Sequence, residues 1–213
     1  MKLFLTSAGI TNDSLAKALK KLVKGKIRIA FIPTASNVEG GAKDWLIKDY
    51  NQCEKLGSVD IVDISALDKK VWLPRLKKAN VIVVGGGNTT HLLKWIIKSK
   101  LKKNLPSLLK NRVYVGISAG SIVLSRKIQT SSEFLYGDET KKAPLGLGYI
   151  PFNVRPHLNS PFFPKVRDKN LKELSKKVEG DLYALDDHSG ILYTGSQIRV
   201  ISEGKWKKYF SQK

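Results

Sequence analysis

The sequence predicts an α/β protein: a mainly parallel sheet with helices on both faces and extra short strands at its C-terminal end. Three observations carry that prediction. Segments such as "NVIVVGGG" (80–87) and "RVYVGIS" (112–118) are nearly continuous runs of branched apolar residues, as strands buried on both faces require. Between them lie stretches with apolar residues every three or four positions, the period of a helix that packs one face. After residue 145 the pattern shortens into "LGYIPFNVRPH", "DLYALDD", "GILYTG", "QIRVIS" and "KWKKYF", strands brief enough to form hairpins.

Taken in order, "KLFLT" (2–6) is a first strand, and residues 12–24 follow as a helix with Leu15, Ala18, Leu19, Leu22 and Val23 on one face. "KIRIAFIPTA" supplies the second strand, residues 41–56 a helix, "VDIVDIS" a third strand and residues 68–78 a further helix. The strand in "NVIVVGGG" leads into a helix from about residue 89, and "RVYVGIS" closes the alternation. Parallel neighbours need a crossover between them, and each helical stretch here is long enough to be one. No repeat, linker or low-complexity stretch interrupts the chain, so a single domain over 1–213 is expected.

At 213 residues and 42% apolar content, the chain can bury one substantial core. "MKLFLTSAG" reads as a buried strand rather than a signal peptide, and no run reaches the ~18 apolar residues of a membrane span. The lone Cys53 sits in a helical pattern with Tyr50 and Leu56, which suits a small buried hydrophobe in a reducing cytoplasm. Against 18 acidic residues stand 38 Lys and Arg, a net charge of +20, so nucleic-acid binding has to be weighed. The basic residues are nevertheless spread through "LAKALKKLVKGK" and "WIIKSKLKKNLPSLLK", opposite regular apolar stripes. That distribution describes a solvated basic surface, and the expected partner is a small substrate bound by a monomer or homodimer.

"YVGISAGSIVL" (114–124) runs a strand through Gly-x-Ser-x-Gly into a helix. Such a turn lifts the Ser118 hydroxyl out of the sheet and aims the Ala119 N–H at any developing oxyanion; a helix-capping serine is the plainer alternative. A serine nucleophile needs a base, and His91, His157 and His188 are the only histidines. His91 opens a helix beside Leu92 and Leu93, and His188 sits in the turn "LDDHSG". His157 ends the strand-like "YIPFNVRP", which brings it to the sheet edge where Ser118 emerges, and it is the favoured base. "VVGGGNTT" is neither a dinucleotide fingerprint nor a phosphate loop, but its glycines permit close backbone approach, and Gly87 N–H is the natural second oxyanion donor.

In combination, "FIPTA" (31–35), "VIVVGGGNT" (81–89), "YVGISAG" (114–120) and "NVRPH" (153–157) resemble the dipeptidase E, or aspartyl dipeptidase, family of serine peptidases, relatives of the cyanophycinases. The resemblance implies a class I glutamine amidotransferase-like fold with serine in place of cysteine at the elbow. It also implies removal of an acidic amino-terminal residue from short peptides, without cofactor or metal. Carried over by position, it makes Ser118 the nucleophile, His157 the base, and Gly87 and Ala119 the oxyanion donors. The triad acid falls on Glu133 in "IQTSSEF", where the aspartyl dipeptidases have aspartate, with Asp138 as the fallback. Arg167 in "KVRDKNLKEL" matches the arginine of acid-specific members, Arg155 is its local rival, and Asn88 joins them as a substrate-binding residue. The function expected is a cytoplasmic serine exopeptidase working through a Ser-His-Glu triad. An esterase or amidase on non-peptide substrates, and a basic nucleic-acid-binding protein on a degenerate hydrolase fold, are the alternatives.

Overall fold

The computed structural model describes residues 1–135 and 142–211. Its first half alternates as the apolar periodicity requires: β1 (Lys2–Thr6), α1 (Asp13–Leu22), β2 (Arg28–Ile32), α2 (Asp44–Glu54), β3 (Ser58–Ile61), α3 (Lys69–Lys78) and β4 (Val81–Val84). There follow α4 (Thr89–Lys98), α5 (Leu101–Leu108), β5 (Val113–Ile117) and the one-turn helices α6 (Ala119–Ile122) and α7 (Ser132–Leu135). The remainder comprises β6 (Asn153–Arg155), α8 (Asp168–Lys177), β7 (Leu182–Leu185), β8 (Ser189–Tyr193), β9 (Ile198–Ser202) and β10 (Trp206–Tyr209).

Strands β3-β2-β4-β5-β1 lie parallel in that order, and β8 and β9 extend the sheet antiparallel beyond β1. Alternation of side chains along each strand divides the core into two layers. On β5, Val113, Val115 and Ile117 join Leu15, Leu19 and Phe31 on one face, whereas Tyr114 joins Trp72, Leu76 and Leu92 on the other. The predicted fold class is therefore the observed one, and the unbroken apolar runs are the strands that both layers cover.

Two differences have physical causes. The single helix expected from residue 89 is broken at Lys100, whose φ of +67° is left-handed. The buried positions jump from Ile96 to Leu101, five residues, which one continuous 3.6-residue period cannot keep on a single face. Of the expected C-terminal hairpins, β8 and β9 form one, but β7 does not pair with β8. Instead β7 lies between β6, parallel, and β10, antiparallel, in a second three-stranded sheet. The turn at 186–188 thus carries the chain from the small sheet to the large one. No helix among the described residues is long and apolar enough to cross a membrane.

Candidate active site

The parallel register brings the carboxyl ends of β1, β4 and β5 to one edge, because Thr6 pairs with Ile117 and Val84 with Gly116. In an open α/β sheet this is where ligands bind. Ser118 follows β5 directly and adopts φ +48°, ψ −105°, a conformation that a non-glycine residue holds only when its surroundings dictate it. The surroundings are specific: the Ser118 N–H donates to Thr6 O at 3.1 Å, and Ser121 Oγ donates to Thr6 O and Gly116 O, both at 2.9 Å. Gly120 is obligatory here, since a Cβ on it would overlap the Val84 carbonyl oxygen. Gly120→Ala should therefore lose stability at or above the upper end of the ~1–3 kcal/mol typical of overpacking. Thermal denaturation reads this directly, and an unchanged Tm would contradict the packing account.

His157 meets the serine from β6. Its Nε2 is 2.9 Å from Ser118 Oγ, and its Nδ1 is 2.6 Å from Asp187 Oδ1. A carboxylate only accepts, so Nδ1 carries the proton and the Nε2 lone pair faces the hydroxyl. The backbone N–H of His157, itself at φ +65°, donates to Ser7 Oγ at 2.8 Å, and the Ser7 hydroxyl donates to the same Asp187 oxygen at 2.9 Å. Phe163 stacks on the imidazole with ring centroids 4.2 Å apart and planes 6° from parallel. Burial alone would push the Asp187 carboxyl up; the hydrogen bonds from His157 and Ser7 and the nearby histidines outweigh it and hold the group below the usual carboxylate range.

The acid expected on the histidine was Glu133, and the structure puts it elsewhere. Glu133 Oε1 accepts from Thr90 N at 3.1 Å, where the first turn of α4 offers unpaired amides, and Asp187 occupies the place beside His157. Asp138 lies outside the described residues. His188 is exposed, and its neighbour Asp187, rather than its ring, reaches the site. His91 packs edge-on against Trp95 at 6.3 Å. Two contributors carried no motif: Ser7, at the end of β1, and Asp187, at the junction between the two sheets. The signal for Asp187 was the acidic pair in "LDDHSG", which reads as an ordinary hairpin loop until β7 and β8 are known to belong to different sheets.

The remaining candidates divide into open and committed groups. Gly85–Gly87 pass beside the serine: a Cβ on Gly86 would lie 3.4 Å from Ser118 Cβ. Among the described residues, no hydrogen bond engages the amides of Gly87 or Ala119. Asn88 caps α4 by accepting from His91 N at 2.8 Å. Arg155 is 1% exposed and donates to Thr130 O and Ser132 Oγ at 2.6 and 3.2 Å. The Arg167 guanidinium clasps its own loop, donating to the carbonyls of Ser160, Phe163 and Val166 at 3.0–3.1 Å. Neither arginine presents the open fork expected for a substrate carboxylate. No metal-holding group of three or more His, Cys, Asp or Glu occurs among the described residues.

Residues 3–201 match the model of peptidase family S51. An uncharacterized peptidase of Pasteurella multocida is 28% identical over 198 residues, covering 90% of this chain and 92% of its own. Peptidase E of a Nostoc species is 28% identical over 149 residues, 63% of this chain and 61% of the Nostoc protein. Among solved structures, a Listeria monocytogenes protein described as a peptidase E superposes with a TM-score of 0.76 at 25% identity, over 95% of this chain and 98% of its own.

Proposed function

The chain belongs to peptidase family S51, a peptidase on that membership, and we propose that it is a serine exopeptidase that cleaves short peptides behind a free amino-terminal residue. The observation that carries this reading is the unbroken relay from Ser118 Oγ to His157 Nε2 and from His157 Nδ1 to Asp187, at 2.9 and 2.6 Å. In the proposed reaction His157 takes the Ser118 proton as Oγ attacks the scissile carbonyl, and Asp187 stabilises the resulting imidazolium. The Gly87 and Ala119 amides hold the oxyanion. Collapse expels the leaving amine with the proton from His157, and water, activated by the same base, releases the amino-terminal residue from Ser118. A reducing cytoplasm suits the single cysteine, a buried free thiol that burial pushes up to about 12, leaving it inert.

Selectivity for an acidic amino-terminal side chain would need a charged partner, because a buried unpaired carboxylate is costly. The commitments of Arg155 and Arg167 favour a role in holding the site's loops instead. Arg167→Met is then expected to lower thermal stability by roughly 1–3 kcal/mol through three stranded carbonyls. It should change the kcat/KM ratio between Asp-Xaa and Ala-Xaa dipeptides by less than about threefold. A tenfold selective loss on Asp-Xaa would place Arg167 on the substrate. The reading as a whole is tested by incubating the protein with di- and tripeptides and identifying products by mass spectrometry.

A further inference from the structure

One buried carboxylate beside the site has no task in this mechanism. Asp49 on α2 is 7% exposed, and among the described residues no N–H or O–H group donates to its carboxylate. One turn on, Gln52 Oε1 is buried and equally without a donor. The two acceptors converge on Gly9, in the turn after β1: a Cβ there would lie 3.4 Å from Asp49 Oδ1 and would overlap Gln52 Oε1. That turn also carries Ser7, which touches both His157 and Asp187. One turn before Asp49, the Trp45 ring approaches to 3.8 Å from a Cβ position on Gly86, the residue packed against Ser118. The face of α2 formed by 45, 49 and 52 (i, i+4, i+7) is thus turned toward the catalytic edge.

A buried amide oxygen with no donor is unfavourable unless a donor arrives, and together with the neighbouring, largely buried carboxylate it is complementary to a compact cation with several N–H groups. The other carboxylates at the site are engaged, Asp187 by His157 and Glu133 by Thr90 N. We propose that Asp49, assisted by Gln52 Oε1, binds the α-ammonium group of the substrate's amino-terminal residue; the assignment rests on the peptidase reading of Ser118. Burial pushes the Asp49 carboxyl up to about 7, with Lys48 opposing and Asp187 reinforcing the shift, as suits a group that is fully charged only when a cation reaches it. An endopeptidase substrate, whose chain continues at that position, supplies no such cation, so this subsite restricts cleavage to the first residue.

The test compares kcat/KM for a free-amine dipeptide with that for its des-amino counterpart. Wild-type protein is expected to favour the free amine by about a hundredfold, the scale of a charge-assisted partner lost. In Asp49→Asn the ratio should fall below about threefold. A structural role for Asp49 lowers both rates and leaves the ratio intact, which overturns the assignment while the peptidase reading stands. Equal wild-type rates on the two substrates overturn it as well, whereas a wild-type protein that cleaves no peptide sinks both readings. Should Asp49→Asn not fold, Ser118→Ala protein serves instead, at a pH lowered below the raised midpoint of the Asp49 carboxyl until its protonated-carboxyl infrared band is seen. Adding the free-amine dipeptide should abolish a protonated-carboxyl infrared band that the N-acetyl dipeptide leaves in place, and a band indifferent to both contradicts the proposal.

Discussion

Ser118→Ala is expected to lower kcat/KM on a free-amine dipeptide by roughly 10⁴- to 10⁶-fold, the scale at which removal of a serine nucleophile leaves only binding and oxyanion stabilisation. The loss should be almost wholly in kcat. The side-chain hydrogen bond of Ser118 is to His157, and the elbow itself is held by backbone and Ser121 contacts that alanine retains. Alanine also carries the same Cβ into the φ +48° conformation, so the variant should fold and melt close to wild type. Combining Ser118→Ala with His157→Ala should add little, because groups acting as one unit are lost together. A single variant that keeps a tenth of wild-type activity would remove Ser118 from the chemistry.

The second large effect separates the two carboxylates. Asp187→Asn is expected to cost about 10⁴-fold in kcat, because the amide can donate to Nδ1 and so favours the tautomer whose Nε2 proton points at the serine. Glu133→Gln should stay within about threefold of wild type in kcat/KM and lose only the few tenths of a kcal/mol typical of a charge at a helix start. Steady-state kinetics on both variants decides the matter. The reverse ranking would return the triad acid to the segment after the elbow and leave the 2.6 Å contact between His157 and Asp187 without a catalytic role.

This contrast shows how far the sequence could be read. Local patterns specify local structure: the apolar runs at 81–84 and 113–117 are the buried parallel strands, and the glycines at 116 and 120 form the elbow they imply. His157 was legible because a strand end followed by proline places a side chain at the sheet edge. Asp187 was not, because its position depends on β7 and β8 joining different sheets, a long-range outcome that no short window encodes. The fork chemistry of Arg167 was legible, but its partners, carbonyls within its own loop, are fixed only by how residues 158–167 fold back on themselves. Ser7 carries no local signal, because its two bonds arise from tertiary neighbours 150 and 180 residues away.

The most direct test of the central claim is product analysis on a matched set of di- and tripeptides with free or acetylated amino termini, read by mass spectrometry. The expected result is release of the first residue from free-amine peptides, a shortened remainder with a new amino terminus, and little or no cleavage once the terminus is acetylated. Internal cleavage, equal cleavage of acetylated peptides, or turnover confined to acyl esters would contradict it.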